Sequence, residues 1–452
     1  MTSLIGSKRL TDLLIKYDKP VPRYTSYPTA AAFSSDVGPE HMSRQLAEPS
    51  DHPLSLYVHI PFCRYACWYC GCNRIATQLG SKIVGPFLDT LSKELELIKT
   101  TMTKSRPLAQ IHWGGGTPNY LNDDEITRLW ELISSRFEVT SDLEASIEVN
   151  PEFLSKESAL HLRRVGFNRI SFGIQDANPE VQKAVNRVVP VEQLRRVMGW
   201  LREADFSSVN VDLICGLPLQ TPDRFRRTIE LVRELRPDRI SLFSFAYLPE
   251  KLPLQGKIAA DDLPSRRERI SMLEQAHRDL LQSDYVAIGM DHYALADDSL
   301  AKAALQGDLH RNFQGYTLGG ELDLLGVGPT AISQFPHLIS QNQRDLKAYT
   351  KQIAAGTLPV ERGIEVRDPE LIERQTLIKQ LMCKFAITLD RNRFSLEWNE
   401  LKDLAADGLV ELESCGELSQ VQVTGEGRWL IRTIAAVFDP QQRRCCSGAR
   451  LV

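Results

Sequence analysis

The 452-residue sequence predicts an α/β protein: an open, parallel (β/α)6 barrel with an N-terminal extension and a smaller, mostly helical C-terminal domain. Three observations carry that expectation. Six short β-rich runs alternate with longer helical patterns between residues 54 and 282. The residues with chemistry to offer follow the C-terminal ends of those runs. The alternation then fades after about residue 340.

The first run is LSLYVHI (54–60), followed by a helical pattern over 84–102. QIHW (110–113) is the second, and NDDEITRLWELI (122–133) its helix. Asn122 with Glu125 three residues on is a capping-box signature, and Ile126, Leu129, Trp130 and Ile133 follow at helical spacing. EASIEV (144–149), RISFGI (169–174), SVNVDLI (208–214) and RISLFSF (239–245) are the remaining strands. Their helices run through Leu160 and Leu162, then near 190–203, 222–235 and 264–282. Strands separated by helices pair in parallel, and right-handed crossovers curl the series into a barrel. Reactive groups in such barrels collect at the C-terminal strand ends. Here those ends carry a cysteine loop, GGGTP, Glu148, Gln175 and Asp212.

The predicted domains are an extension over 1–50, the barrel over 51–340 and a C-terminal domain over 341–452. In the extension, Leu10, Leu13, Leu14 and Tyr17 fit one face of a short helix, whereas VPRYTSYPTA is too rich in Pro, Thr and Ser for a regular element. In the C-terminal domain, 370–387 has helical periodicity, and the stretch from EWNELKDLAADGLVEL onward reads as helix, small β-wing, helix. A winged helix tempts a DNA-binding reading. A packing or lid domain is the better one, because no basic recognition helix is present.

Composition narrows the function classes. Net charge is −4 with both signs interspersed, which is no nucleic-acid footprint and no polybasic membrane signal. No run approaches the ~20 apolar residues of a membrane span. The N-terminus lacks a signal-peptide core. A cytoplasmic protein is expected, and a monomer, since nothing marks an assembly surface.

Nine cysteines in a reducing compartment point to metal or redox chemistry rather than disulfides. Four lie in CRYACWYCGC, spaced Cys63-x3-Cys67-x2-Cys70, then Cys72. Zinc sites pair two CxxC or CxxH units across a longer span, and none is present. CxxxCxxC is the spacing of enzymes that hold a [4Fe-4S] cluster through three thiolates and leave the fourth iron open to S-adenosylmethionine. Cys72 is then a loop thiol beside the cluster rather than a ligand. Trp68 and Tyr69, between the ligands, either shield the cluster, touch adenine or simply pack. HWGGGTPNY lacks the Gly-Lys-Ser/Thr of a nucleotide-phosphate loop, but Gly115 and Gly116 let backbone approach a cofactor without an intervening Cβ. Glu148 and Asp212 suit ribose hydroxyls or ammonium groups. Period-two alternation puts Tyr57 and His59 on one strand face.

LYVHIPFCRYACWYCGCN resembles the signature of the oxygen-independent coproporphyrinogen III oxidases, radical S-adenosylmethionine enzymes of haem biosynthesis. PRYTSYPTA, HWGGGTPNYL, SIEVNPE, FNRISFGIQD, VDLICGLPLQT, GMDHYA, HRNFQGYT and LLGVGPTAIS extend the resemblance over about residues 20–335. It implies a radical-SAM barrel and the decarboxylation of two propionates of coproporphyrinogen III to vinyls, giving protoporphyrinogen IX. A 5′-deoxyadenosyl radical takes a hydrogen from the propionate β-carbon, and the substrate radical loses CO₂ and one electron. The resemblance implies an electron donor and two S-adenosylmethionine molecules.

It further implies that Cys63, Cys67 and Cys70 hold the cluster. Tyr57, Gly115, Glu148 and Ile332 would contact the first cofactor molecule. Tyr69, Gly116, Thr117, Gln175, Arg187, Asp212 and Ala246 would contact the second. Tyr57, His59 and Gln314 are the candidates for direct participation, with Arg23 and Arg311 as candidate partners of substrate carboxylates. The family often has Tyr where Cys215 stands, Phe where Tyr69 stands, and a Phe-Asp-x-Tyr-Leu ending where this chain has FDPQQRRCCSGARLV. The related haem chaperones typically lack PRYTSYPTA, carry Phe at the position of Cys72 and show Asn-x-x-Tyr-Trp in place of NFQGYT. On all three counts this chain sides with the oxidases.

Overall fold

A computed structural model describes residues 8–320, 322–415 and 418–444. The six expected strands are present: β1 Leu54–Ile60, β2 Leu108–Gly115, β3 Val139–Val149, β4 Arg169–Gln175, β5 Ser208–Cys215 and β6 Arg239–Ser244. They pair in sequence order, each parallel to the next. Helices Ser81–Thr101, Asp123–Ser134, Lys156–Val165, Val191–Glu203 and Pro222–Leu235 make the crossovers, and Arg266–Leu281 follows β6. The capping box forms as read: the Asn122 side chain accepts from the Glu125 N–H at 2.9 Å, and the Glu125 carboxylate accepts from the Asn122 N–H at 2.9 Å.

The sheet is larger than six strands. Asp323–Val327 lies parallel beside β1, so the chain returns to the opposite edge of the parallel set. Antiparallel strands extend both flanks, giving twelve strands. Their order is 360–365, 338–342, 332–334, 323–327, β1 to β6, 292–295, 285–289, and it ends in two edges rather than closing. The boundary expected between 340 and 341 therefore falls inside the strand Leu338–Asn342, and Val360–Glu365 still belongs to the main sheet. After 323–327 these late strands pair antiparallel, with one helix, Leu346–Ala354, before the last of them, so a count of parallel strand–helix units passes over them.

Two large hydrophobic cores result among the described residues. One fills the main sheet and its crossover helices, with Trp113, Phe167 and Phe172 almost fully buried. The other joins the N-terminal helix Lys8–Lys16, through Leu10, Leu13 and Leu14, to the C-terminal region around Leu381, Phe394 and Phe438. That region carries the expected helix and wing: Ser395–Ala406, then the hairpin Val410–Cys415 and Leu418–Val423. A third strand, Ala386–Asp390, completes its sheet. The helical reading over 370–387 overran it. The helix stops at Lys384 because Phe385 adopts a left-handed conformation (φ 56°), and β-branched residues follow. Cys445, Cys446 and the last residues of the divergent tail lie outside the described residues.

Candidate active site

The cysteine loop leaves β1 through Pro61 and is closed at its base like a purse. Phe62–Cys63 pairs in parallel with Ile75–Ala76. Arg74 spans the enclosed loop, donating to the carbonyls of Cys67 (3.1 Å), Cys70 (3.1 Å) and Cys72 (3.2 Å). The far side docks on the segment after β4: Trp68 N–H donates to the Val185 carbonyl at 2.9 Å, and the Asn186 amide donates to Ala66 at 2.8 Å. The rings of Trp68 and Tyr69 pack against the small apolar cluster of Val181, Val185, Ile214, Leu217 and Phe245.

Burial pushes the Cys63 thiol up to about 11 and raises Cys67, and for both the neighbouring cysteines add to the rise. Cys70 moves the other way, down to about 6: a hydrogen bond with Cys72 and the Arg74 charge stabilise its thiolate. Cys63 also shares a 3.3 Å hydrogen bond with Thr117, from the turn after β2. Cys72 is exposed at the outer rim. Among the described residues no three His, Cys, Asp or Glu side chains converge as a single bound ion requires. A four-iron cluster gives each thiolate its own iron, so its three ligands stand apart.

Beside the loop, the strand ends build a polar wall. Tyr57 donates to His59 Nδ1 at 3.1 Å, and His59 Nε2–H donates to the Asn73 carbonyl at 2.9 Å. Burial lowers the pKa of His59, which holds it neutral in that tautomer. The Tyr57 ring stacks on His112 with centroids 5.9 Å apart. His112 Nε2–H donates in turn to Glu148 at 3.1 Å, and the Gly115 N–H donates to the other carboxylate oxygen at 3.3 Å. Gly115 has φ 109°, and a Cβ there would sit 2.6 Å from the His59 ring. Ile332 begins the strand next to 323–327, two strands from Tyr57.

Gln175 and Arg187 stand behind the cysteine loop. Gln175 is strained, with φ 64°. Its Oε1 and the Nε of Arg187 are buried without hydrogen-bond partners among the described residues. Arg187 donates to the Gly173 carbonyl at 3.4 Å. Asp212 accepts from Asn210 at 2.9 Å, and burial together with the charge of Glu148 pushes its carboxyl up to about 6. Ala246 is reached through a residue that sequence reasoning missed: the buried Gln255 amide donates to the carbonyls of both Ala246 and Tyr69 at 3.1 Å. Gln255 sits in the short 3-10 turn Pro253–Lys257 between longer elements, where periodicity gives no signal. Arg74 was missed for the same reason.

Among the described residues no hydrogen bond brings the Gln314 side chain to this wall. It lies exposed at the tip of the hairpin formed by 310–312 and 315–317, and its N–H bonds Asn312 at 2.8 Å. Arg23 is paired with Asp291 and lies over the Phe243 ring at 5.1 Å. Arg311 donates to the Tyr24 carbonyl at 3.3 Å and lies over Tyr316 at 4.5 Å.

The donor set fits an iron–sulfur cluster with S-adenosylmethionine. Three thiols share one braced loop, and Gln175 Oε1 at the end of β4 and Arg187 Nε in the segment after it are buried polar atoms without a hydrogen-bond partner among the described residues. Residues 57–232 match the family described as the Radical SAM superfamily. The oxygen-independent coproporphyrinogen III oxidase of Synechocystis sp. is 44% identical over 95% of this chain and 94% of its own length. This chain belongs to that family. The Escherichia coli relative of the same description is 44% identical over 96% of this chain and 95% of its own length. A solved structure of coproporphyrinogen III oxidase (HemN) from Escherichia coli, described as a radical SAM enzyme, superposes with a TM-score of 0.89 at 43% identity. It covers 95% of this chain and 98% of its own. Among the described residues no helix is long and apolar enough to cross a membrane.

Proposed function

We propose that this chain carries out the oxygen-independent decarboxylation of two propionates of coproporphyrinogen III to vinyl groups, giving protoporphyrinogen IX. The observation that carries the reading is a braced three-thiol loop that leaves the C-terminal end of β1 in a parallel sheet. Cys63, Cys67 and Cys70 hold a [4Fe-4S] cluster. When bound there, the cluster would supply the electron that cleaves S-adenosylmethionine to a 5′-deoxyadenosyl radical.

The chain's own residues bind, orient and shield. Arg74 fixes the loop and favours the thiolate form of its cysteines. Glu148, anchored by His112 and Gly115, accepts from donors of the first cofactor molecule beside Tyr57 and Ile332. Gln175, Arg187 and Asp212 serve a second molecule, with Tyr69, Gly116, Thr117 and Ala246 around it. Neutral His59 keeps the Tyr57 hydroxyl oriented at the same wall. An external one-electron donor serves the site, and the chain acts as a cytoplasmic monomer.

The test is anaerobic. The reconstituted protein is given reductant, S-adenosylmethionine and coproporphyrinogen III. The tetrapyrrole is followed by mass spectrometry while 5′-deoxyadenosine is quantified in the same tube. Loss of two carboxyl groups, coupled to deoxyadenosine and abolished by Cys67→Ser, establishes the activity. Haem binding without either product, by protein with an intact cluster, refutes it.

A further inference from the structure

The crossover helix Ser81–Thr101 buries an apolar stripe of Val84, Phe87, Leu88, Leu91, Leu95 and Ile98 against the sheet. Glu94 lies in that stripe with no exposed surface. A carboxylate there gives up hydration that a leucine would not need, so stability of the helix does not account for it. Its partners do. One oxygen accepts from the Gly328 N–H at 2.8 Å and from the Tyr349 hydroxyl. The other accepts from the Asn342 amide at 2.8 Å, and that amide also donates to the Gly328 carbonyl at 3.0 Å. Burial pushes the carboxyl up to about 7, while all three donors favour its ionised form.

Gly328 is the residue on which this network acts. It directly follows the strand Asp323–Val327 that pairs with β1, where Tyr57 is opposite Gly326 and Val58 opposite Val327. With φ 93° it passes so close to β1 that a Cβ would lie 2.5 Å from the His59 carbonyl oxygen. Four residues on, the same turn delivers Ile332. Both ends of this turn therefore border the polar wall, and its backbone is held from behind by a side chain on a different element.

We infer that Glu94 is a positioning residue of the radical site: by holding Gly328 it sets where the 328–332 turn, and with it Ile332 and the back of His59, meets bound S-adenosylmethionine. This rests on the functional reading above. Glu94 touches no reactant and acts only through Gly328.

Glu94→Gln is the direct test. Its single oxygen still serves Gly328 and Tyr349, but its amide then faces the Asn342 amide, donor against donor. S-adenosylmethionine affinity is measured on anaerobically reconstituted protein from the change in the reduced cluster's EPR signal, alongside iron content and melting temperature. The expected result is affinity weakened by about tenfold, the weight of one conflicted buried hydrogen bond, at wild-type iron content. Tyr349→Phe, which removes one donor, is expected to weaken affinity by about threefold or more and decides the question if Glu94→Gln does not fold. Lower melting temperature with unchanged affinity in the loaded fraction would make Glu94 merely structural and overturn the inference. Wild-type protein whose cluster signal ignores S-adenosylmethionine would instead sink the functional reading itself.

Discussion

Gly115→Ala tests how tightly the wall of the site is built. The residue ends β2 with φ 109°, a conformation that costs a non-glycine residue roughly 1–3 kcal/mol. The new methyl also has no room, because a Cβ would lie 2.6 Å from both Cε1 and Nδ1 of His59. The ring is enclosed and must tilt away. That breaks its bonds to Tyr57 (3.1 Å) and Asn73 (2.9 Å), at about 1 kcal/mol each for ordinary buried hydrogen bonds. The sum is about 3–5 kcal/mol of stability. Urea unfolding of the metal-free protein, followed by tryptophan fluorescence, measures it. Trp113 is fully buried two residues upstream and reports directly. Gly199→Ala is the internal control: it lies in the helix Val191–Glu203 with nothing within 4 Å of its Cβ. It should gain roughly 0.5–1 kcal/mol from helix propensity. If Gly115→Ala unfolds within about 1 kcal/mol of wild type while the control behaves, His59 is not pinned and the steric account is wrong.

Other perturbations give separate readings. Asp439 is buried and accepts from the Tyr24 hydroxyl at 3.0 Å, so Asp439→Ala strands a buried donor at a cost of about 1–3 kcal/mol. Faster proteolysis within residues 21–28 is the expected sign of that loosened contact, and an unchanged cleavage rate contradicts it. Arg106 pairs with Asp323 where both are almost fully buried, so Arg106→Ala leaves an uncompensated carboxylate and should cost about 3–5 kcal/mol in urea unfolding. Burial lowers His277 from 6.5 to about 4. The unfolded chain therefore takes up a proton between those values that the native state refuses. The associated stability is complete above pH 6.5 and is lost as pH falls through 4, about 2 kcal/mol of it by pH 5. His277→Gln should shrink the difference in unfolding free energy between pH 7.5 and 5 by that amount, and an undiminished difference would assign the acid sensitivity elsewhere.

The parts of this fold that were legible share one property: each is written in local spacing. The six strands are apolar, β-branched runs between helices whose stripes repeat at helical period, and all six formed. Tyr57 and His59 share a face because strand side chains alternate, and they are hydrogen-bonded. The seventh parallel strand was not legible. Asp323–Val327 pairs with β1 across nearly the whole length of the domain, and no crossover helix announces it. Glu94 was invisible for a related reason. An acidic residue in an amphipathic helix reads as solvent-facing, and only the tertiary arrangement supplies the Gly328, Tyr349 and Asn342 donors that satisfy it. Gln255 and Arg74 likewise act on backbone carbonyls of the cysteine loop, and carbonyls carry no residue-type signal.

The placement of the cysteine loop follows from these long-range contacts rather than from the loop itself. Between β1 and Cys63 lie only Pro61 and Phe62, so the direction in which β1 ends fixes where the first thiol emerges. That strand end is held from both sides. On one side Gly115 leaves no space for a Cβ against the His59 ring, and the Gly116 N–H donates to the Ile60 carbonyl at 2.8 Å. On the other, Gly328 leaves none against the His59 backbone. The two neighbours of β1 arrive from chain segments about two hundred residues apart, and each ends in a glycine turn at the same residue. A cluster ligand set needs only three thiols on a short loop. A site that aims a radical at one carbon needs that loop fixed against the wall where the cofactor lies, and closely packed backbone on both sides of β1 provides that rigidity.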